Sequence, residues 1–201
     1  SGIVGHTAMA TADPDGYTLL FTLDAIFTIE AMGTSEVGID DLVPIAQVGS
    51  FAPSFVTRAG SPYADLSEVI EADLNRGPGE IPVATNIGAI AHFQLLGIRD
   101  ALDEPDLFRL VHIGDGSSRI SQTLGGHVEF TTMGAHEARA YVESGEMRIL
   151  AVMSEDPVEF LPDVPTANSL GIDWSWRNEY MVFAPGGTPP EIIEILADAL
   201  E

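Results

Sequence analysis

Residues 109–131 read RLVHIGDGSSRISQTLGGHVEFT. A short apolar strand at 110–113 runs into Gly114-Asp115-Gly116-Ser117-Ser118. A helical pattern follows, with Ile120 and Leu124 four apart; Gly125-Gly126 stops it and a second strand begins at Val128. A strand, a glycine turn and a helix start aim free backbone N–H groups at one point, which suits an anion. Small residues there let a ligand approach the backbone closely. This stretch therefore predicts an anion-binding turn at the carboxyl end of a strand.

The same alternation extends outward in both directions. Strand-like runs fall at 17–22, 44–48, 54–57, 81–85, 110–113, 128–132, 149–153 and 180–184. Most are short and apolar on both faces, as in buried parallel strands. Helical patterns lie between several of them. Leu66, Val69, Ile70 and Leu74 form one stripe, closed by Gly77; Ile90, Phe93, Gln94 and Gly97 share the face of the next. Ala138, Tyr141 and Val142 precede Gly145, a helix-stop position. Thr188-Pro189-Pro190-Glu191 predicts a capped helix start with a capping-box glutamate, and Ile192 and Leu196 its inner face. Alternating strands and helices predict an α/β fold with mainly parallel sheets. Ligands in such sheets sit beyond the carboxyl ends of strands, here the turns after Thr22, Thr85, Ile113, Met133 and Tyr180.

Thirty-one acidic residues against eight basic ones give a formal net charge of −23, and all eight bases are arginine. So negative a field repels phosphates and argues against nucleic acid as a partner. The hydrophobic content of 45% opposes disorder. The expectation is a halophilic protein: at about 1 M salt the Debye length shrinks to about 3 Å, and a dense carboxylate surface then keeps the chain soluble. No apolar run approaches the roughly 20 residues of a membrane helix. The first 16 residues lack a basic region followed by an apolar core, so no signal peptide is expected there. The absence of cysteine excludes disulfides and thiolate metal sites. The chain opens without a first strand and stops within a helical pattern, which reads as part of a larger protein.

Catalytic motifs find little support. Gly114-x-Gly116 follows a strand, but Arg119 stands where a dinucleotide fingerprint needs its third glycine. No G-x-S-x-G elbow is present, so Ser117 and Ser118 lack a nucleophile's context and read as helix-capping residues beside a ligand. His136-Glu137 has no second histidine at zincin spacing. Asp13-Pro14-Asp15-Gly16 reads as a turn rather than a calcium loop. His6, His92, His112, His127 and His136 are too scattered to argue a metal cluster. Asp24 ends a strand where site residues are expected; it either accepts from a ligand ammonium or hydroxyl, or caps the helix after it. Arg177, beside Trp174 and Trp176, either forks onto a ligand carboxylate or forms a structural salt bridge. No residue pair stands out as acid and base, which favours a binding protein over an enzyme.

Six motifs in order carry a family resemblance. They are DPDGYTLL at 13–20, LVPIA at 42–46, LGGHVE at 124–129, GEMRILAV at 145–152, LPDVPT at 161–166 and APGGTP at 184–189. The chain resembles the solute-binding component of the tripartite tricarboxylate transporters, the TctC or Bug family, nearly end to end. Trp176-Arg177 and the Gly-Gly-His-Val-Glu run make it look closest to the tricarboxylate subgroup.

The resemblance implies a type II periplasmic binding protein, with two α/β lobes of mainly parallel sheet and a ligand cleft between them. Residues 1–56 and 183–201 would form an incomplete first lobe, and 57–182 the second. The family's first strand and glycine-rich loop would precede Ser1, and part of the first lobe would follow the chain's end. Carried over by position, the ligand-binding residues would be Thr22 and Asp24; Thr85, Asn86 and Gly88; Gly116 and Ser117; Gly134; and Arg177. No cofactor and no metal are implied. The partners would be a small carboxylate and the membrane permease subunits, the protein a monomer, and its location periplasmic or extracellular, with membrane anchoring of the full-length protein left open. Asp24 and Asp115 replace small or neutral family residues and would repel an anion unless they turn away or meet a positive group. An amino-acid zwitterion and a ligand-sensing domain therefore stay open as alternatives, with an enzyme on the same fold behind them.

Overall fold

The computed structural model describes residues 2–200. Contacts divide the chain into two units. The first comprises the chain up to Ser50, Gly88–Ile90 and the chain from Asn178; the second comprises Phe51–Ile87 and Ala91–Arg177.

The first unit contains α1 (Ile3–Ala10), β1 (Leu20–Leu23), α2 (Ala25–Ala31), β2 (Leu42–Phe51, whose last residue belongs to the second unit), and, after the second unit, β8 (Asn178–Pro185) and α7 (Pro190–Leu200). Its three strands run in the order β1-β8-β2. β1 and β8 are antiparallel, with Leu20 opposite Phe183 and Leu23 opposite Tyr180. One face buries Met9, Ile26, Leu42 and Phe183, with Leu20, Ile39 and Met181 packed beside them. On the other, Phe21 stacks on Tyr180 at 5.3 Å between ring centroids. The capping box expected at the start of α7 does not form as read. The Thr188 hydroxyl donates to the Pro185 carbonyl at 2.8 Å and so tightens the preceding turn.

The second unit contains β3 (Pro53–Arg58), α3 (Leu66–Arg76), β4 (Pro82–Thr85), α4 (Ile90–Leu102, from its second residue), β5 (Arg109–His112), α5 (Gly116–Leu124), β6 (Phe130–Gly134), α6 (Ala135–Glu143) and β7 (Met147–Val152). Its sheet runs β5-β4-β6-β3-β7. β4 is parallel to β5 and to β6, whereas β3 is antiparallel to both β6 and β7. The five-stranded sheet is thus mixed and the β1–β8 pairing antiparallel, which corrects the expectation of mainly parallel sheets. The physical reason lies in burial. Phe55 and Val56, successive residues of β3, are both fully buried; a strand covered on both faces reads as an apolar run whichever way it points. β3 follows β2 after the single residue Ala52, with no crossover helix to reverse it.

Two apolar layers cover this sheet. Phe55, Val83, Phe130 and Leu150 pack against Leu66, Val69 and Ile70 of α3 and Leu95 and Ile98 of α4. Val56, Met133, Ile149 and Val152 pack against Ala138 of α6 and the half-buried Ile120 and Leu124 of α5. The buried stripe of α4 is Ala91, Gln94, Leu95, Gly97 and Ile98, displaced round the helix from the face read off the sequence. Gly97 has no room for a side chain, because a Cβ would overlap the Trp174 indole. Asp65 caps α3, accepting from the Glu68 N–H at 3.2 Å. Asp73, at 0% exposure, accepts from the N–H groups of Gly79, Ile81 and Phe108 at 2.9, 2.6 and 2.8 Å. That one carboxylate ties the approaches to β4 and β5 together and so sets where their far ends emerge.

Candidate carboxylate-binding turns

In the second unit, parallel pairing brings the carboxyl ends of β4, β5 and β6 to one end of the sheet, where α/β proteins place ligands. Thr85 ends β4 opposite His112 of β5, and Gly134 ends β6. The structure therefore gathers five of the expected site residues, Thr85, Asn86, Gly116, Ser117 and Gly134, around three neighbouring strand ends.

The turn after β5 begins where the Ile113 N–H donates to the Thr85 carbonyl at 2.7 Å. Asp115 is extended and serves as the N-cap of α5. Its Oδ1 accepts from the Ser118 N–H at 2.8 Å and the Ser117 hydroxyl at 2.7 Å, and its Oδ2 from the Ser118 hydroxyl at 2.7 Å. These donors, the Ser118 N–H foremost, hold the Asp115 carboxyl down at about 2. Asp115 thus folds back on its own helix. Ser117 is exposed, but its hydroxyl proton goes to Asp115, and Gly116 is exposed beside it.

The turn after β4 is steadied by the Ile87 N–H, which donates to His112 Nδ1 at 3.1 Å. This accepting role places the proton of a neutral His112 on Nε2. Thr85 is fully buried and its Oγ1 has no partner among the described residues. Asn86 is half-buried. Gly88 groups with the first unit; it has φ +83°, and a Cβ there would lie 3.5 Å from Met32 Cε. Gly134 is the N-cap of α6, and its N–H donates to Glu137 Oε2 at 3.3 Å. A Cβ at Gly134 would come within 2.7 Å of the His136 ring and 3.2 Å of Phe51, so this turn accepts only glycine without rearrangement.

Arg119 was not among the expected site residues. It is half-buried on α5, and its Nε donates to Thr131 Oγ1 at 3.2 Å. Burial lowers its pKa, while the charges of Asp115 and Glu137 raise it. The signal was present in the spacing. A residue three positions into a helix from Gly116 lies over the first turn, because helical side chains lean toward the N-terminus.

The first unit places Thr22 and Asp24 at the end of β1. Thr22 Oγ1 is 3.2 Å from Nε2 of the buried His6. Asp24 makes no side-chain cap on α2, so the capping alternative is not realised. Its N–H instead donates to the Glu179 carbonyl at 3.1 Å. Asp24 Oδ1 and Glu179 Oε2 are both shut off from solvent with no partner among the described residues. Burial pushes the Asp24 carboxyl up to about 6; backbone N–H groups at Glu179 and Asp24 pull against this, and the Glu179 charge adds to it. Arg177, the last residue of the second unit, is exposed and has no carboxylate within 4 Å among the described residues. Its salt-bridge alternative is therefore not formed. No group of three or more His, Asp or Glu suited to a metal occurs among the described residues, and no helix there is long and apolar enough to cross a membrane.

The model of a family described as "Tripartite tricarboxylate transporter family receptor" matches residues 1–201. Protein BugT of Bordetella pertussis is 31% identical over 205 residues, covering 97% of this chain and 61% of its own. A crystal structure of a TctC solute-binding protein from Polaromonas, without ligand, is 28% identical and superposes with a TM-score of 0.76 over 99% of this chain and 68% of that one. MatC from Rhodopseudomonas palustris with bound malate is 22% identical, with a TM-score of 0.82 over 99% of this chain and 68% of that one. The chain spans 58–61% of the length of the curated relatives it matches.

Proposed function

The chain belongs to the tripartite tricarboxylate transporter receptor family, a family of transport receptors rather than enzymes, and from that premise we propose that the protein captures a small di- or tricarboxylate outside the cytoplasm and passes it to membrane permease subunits. The observation that carries this reading is the set of turns at the parallel ends of β4, β5 and β6. They offer two helix starts, at α5 and α6, and at α5 an exposed Gly116 whose N–H has no acceptor among the described residues. Such groups replace the water around a carboxylate at about 0.3–1 kcal/mol per helix terminus, somewhat more when partly buried. The malate held by MatC fits this ligand class. In this reading the protein works as a monomer of two lobes that close on the ligand, in the manner of a type II periplasmic binding protein. Thr22, Asp24, Thr85, Asn86, Gly88, Gly116, Ser117, Gly134 and Arg177 are the proposed contacts.

A specific observation favours a second ligand class. Asp24 Oδ1 and Glu179 Oε2 are buried without donors, and an ammonium group would satisfy both, so an amino acid is the alternative cargo. Calorimetric titration of the full-length protein in molar salt with malate, succinate, citrate, aspartate and glutamate separates the two. Binding of the plain acids supports the first reading, binding confined to the amino acids supports the second, and chemical turnover of any of them overturns both. Arg177→Ala is expected to weaken binding by about 1.5–3 kcal/mol if a charged hydrogen bond is lost; unchanged affinity removes Arg177 from the site.

A further inference from the structure

We propose that Arg119 grips one carboxylate of the ligand at the start of α5, and that it makes the protein prefer a ligand with a second acid group. The proposal rests on the carboxylate-capture reading above and adds a residue to it.

The first support is what Arg119 lacks. The ion pairs closer than 4 Å among the described residues are Arg58 with Glu129 and Arg139 with Glu143. Arg119 is half-buried in a chain with 31 acidic residues, yet it joins neither. Its two electrostatic neighbours are engaged elsewhere. Asp115 takes the hydroxyls of Ser117 and Ser118 and the N–H of Ser118, and Glu137 takes the N–H of Gly134. A guanidinium carries five donors; one is used, Nε to Thr131, and the Nη groups have no hydrogen-bond partner among the described residues.

The second support is that the side chain is held in place. Thr131 Oγ1 accepts from Arg119 Nε at 3.2 Å and donates to the Ala84 carbonyl at 3.1 Å. This two-bond relay ties the guanidinium plane to β4, one residue before Thr85. A surface arginine forming only screened ion pairs needs no such anchor.

The third support is where the free donors lie. A Cβ built on Gly116 would sit 3.9 Å from Arg119 Nη2, so the guanidinium lies against the first residue of α5 with no side chain between them. The N–H groups of Gly116 and Ser117 belong to the first turn and have no acceptor among the described residues. A fixed fork of Nη donors beside two free backbone N–H groups matches a carboxylate, which accepts at both oxygens. Asp115, curled onto the Ser117 and Ser118 hydroxyls, leaves this approach to the ligand.

The test uses the full-length protein, its R119Q and R119K variants, and the pair succinate and butyrate, which have the same number of carbons and differ by one carboxylate. Calorimetric titration in molar salt is expected to show succinate bound more tightly than butyrate. In R119Q, succinate affinity should fall roughly 10- to 100-fold, the loss of a charged hydrogen bond, and the preference over butyrate should narrow. R119K, which keeps the charge but loses the fork and the Thr131 bond, should fall between. Thermal melting of each variant without ligand identifies any that fails to fold, and if R119Q does, R119K decides alone. Succinate binding in the folded variants as tight as in the parent overturns the role of Arg119 and leaves carboxylate capture standing. A parent that binds none of malate, succinate or citrate overturns the capture reading and this proposal with it.

Discussion

Asp24→Asn isolates the energetic consequence of a carboxyl whose burial outweighs the backbone N–H groups that hold it. Asp24 Oδ1 has no donor, and burial raises the group from 3.8 to about 6. The folded state therefore holds this proton more tightly than the unfolded chain does. The stabilisation that the proton brings is complete below about pH 4 and lost as the pH rises through about 6. At about 1.4 kcal/mol per pH unit, the displacement amounts to about 3 kcal/mol. The carboxyl is partly open to solvent, and screening there reduces the figure to about 1–2 kcal/mol. D24N has no charge to bury and should melt about 2–6 °C above the parent at about pH 7.5. The gap should close toward about pH 4, where the parent carboxyl is protonated as well. Melting curves of both full-length proteins without ligand, taken across this range in molar KCl, supply the difference, and subtraction cancels the titration of the carboxyls they share. Equal melting at about pH 7.5, or a gap that fails to shrink as the pH falls, would refute the assignment of Asp24 as a destabilising buried acid.

Other perturbations follow from named contacts. Asp73→Ala leaves the buried N–H groups of Ile81 and Phe108 without an acceptor; at about 1–3 kcal/mol each the loss should reach about 2–6 kcal/mol in urea unfolding, and a loss under about 1 kcal/mol would mean that water replaces the carboxylate. Gly97→Ala forces a methyl into the Trp174 indole and should cost about 1–3 kcal/mol, with a change in tryptophan fluorescence; an unchanged spectrum and midpoint would show that the indole moves freely. The net charge of −23 predicts a melting temperature that rises between dilute buffer and about 1 M KCl as self-repulsion is screened, and equal melting in both would count against halophilic adaptation.

Much of the fold was legible because it depends on local pattern. The alternation of short apolar runs with 3.6-residue stripes identified the α/β class, and the helix of residues 66–76 was readable from its Leu66, Val69 and Ile70 stripe and its Gly77 stop. Strand direction was not legible. β3 is apolar on both faces and contains no residue that distinguishes a parallel from an antiparallel neighbour. Among the candidate site residues, the place of Gly116 and Ser117 at a helix start was legible in the strand–glycine–helix order. The placement of Arg119 is not legible in the sequence, because it depends on Thr131, twelve residues away and on another element.

Composition and local order determined that this chain forms an α/β protein with a glycine turn at a helix start, a strongly acidic composition and the motifs of the tripartite tricarboxylate transporter receptor family. These properties are sums or short-range patterns, and each can be read from a window of residues. Tertiary structure decided which charges are neutralised and which are left over. Asp115, a carboxylate that would repel an anion in this turn if left free, is held by Ser117 and Ser118. Asp24, open in sequence between a ligand contact and a helix cap, lies beside Glu179 with its Oδ1 buried and without a donor among the described residues. Arg119 is held by Thr131 with its Nη groups unpaired. Charge pairing acts over a few ångströms in space and falls steeply with distance and solvent exposure, so residues remote in sequence set it, and only the folded chain brings them within reach.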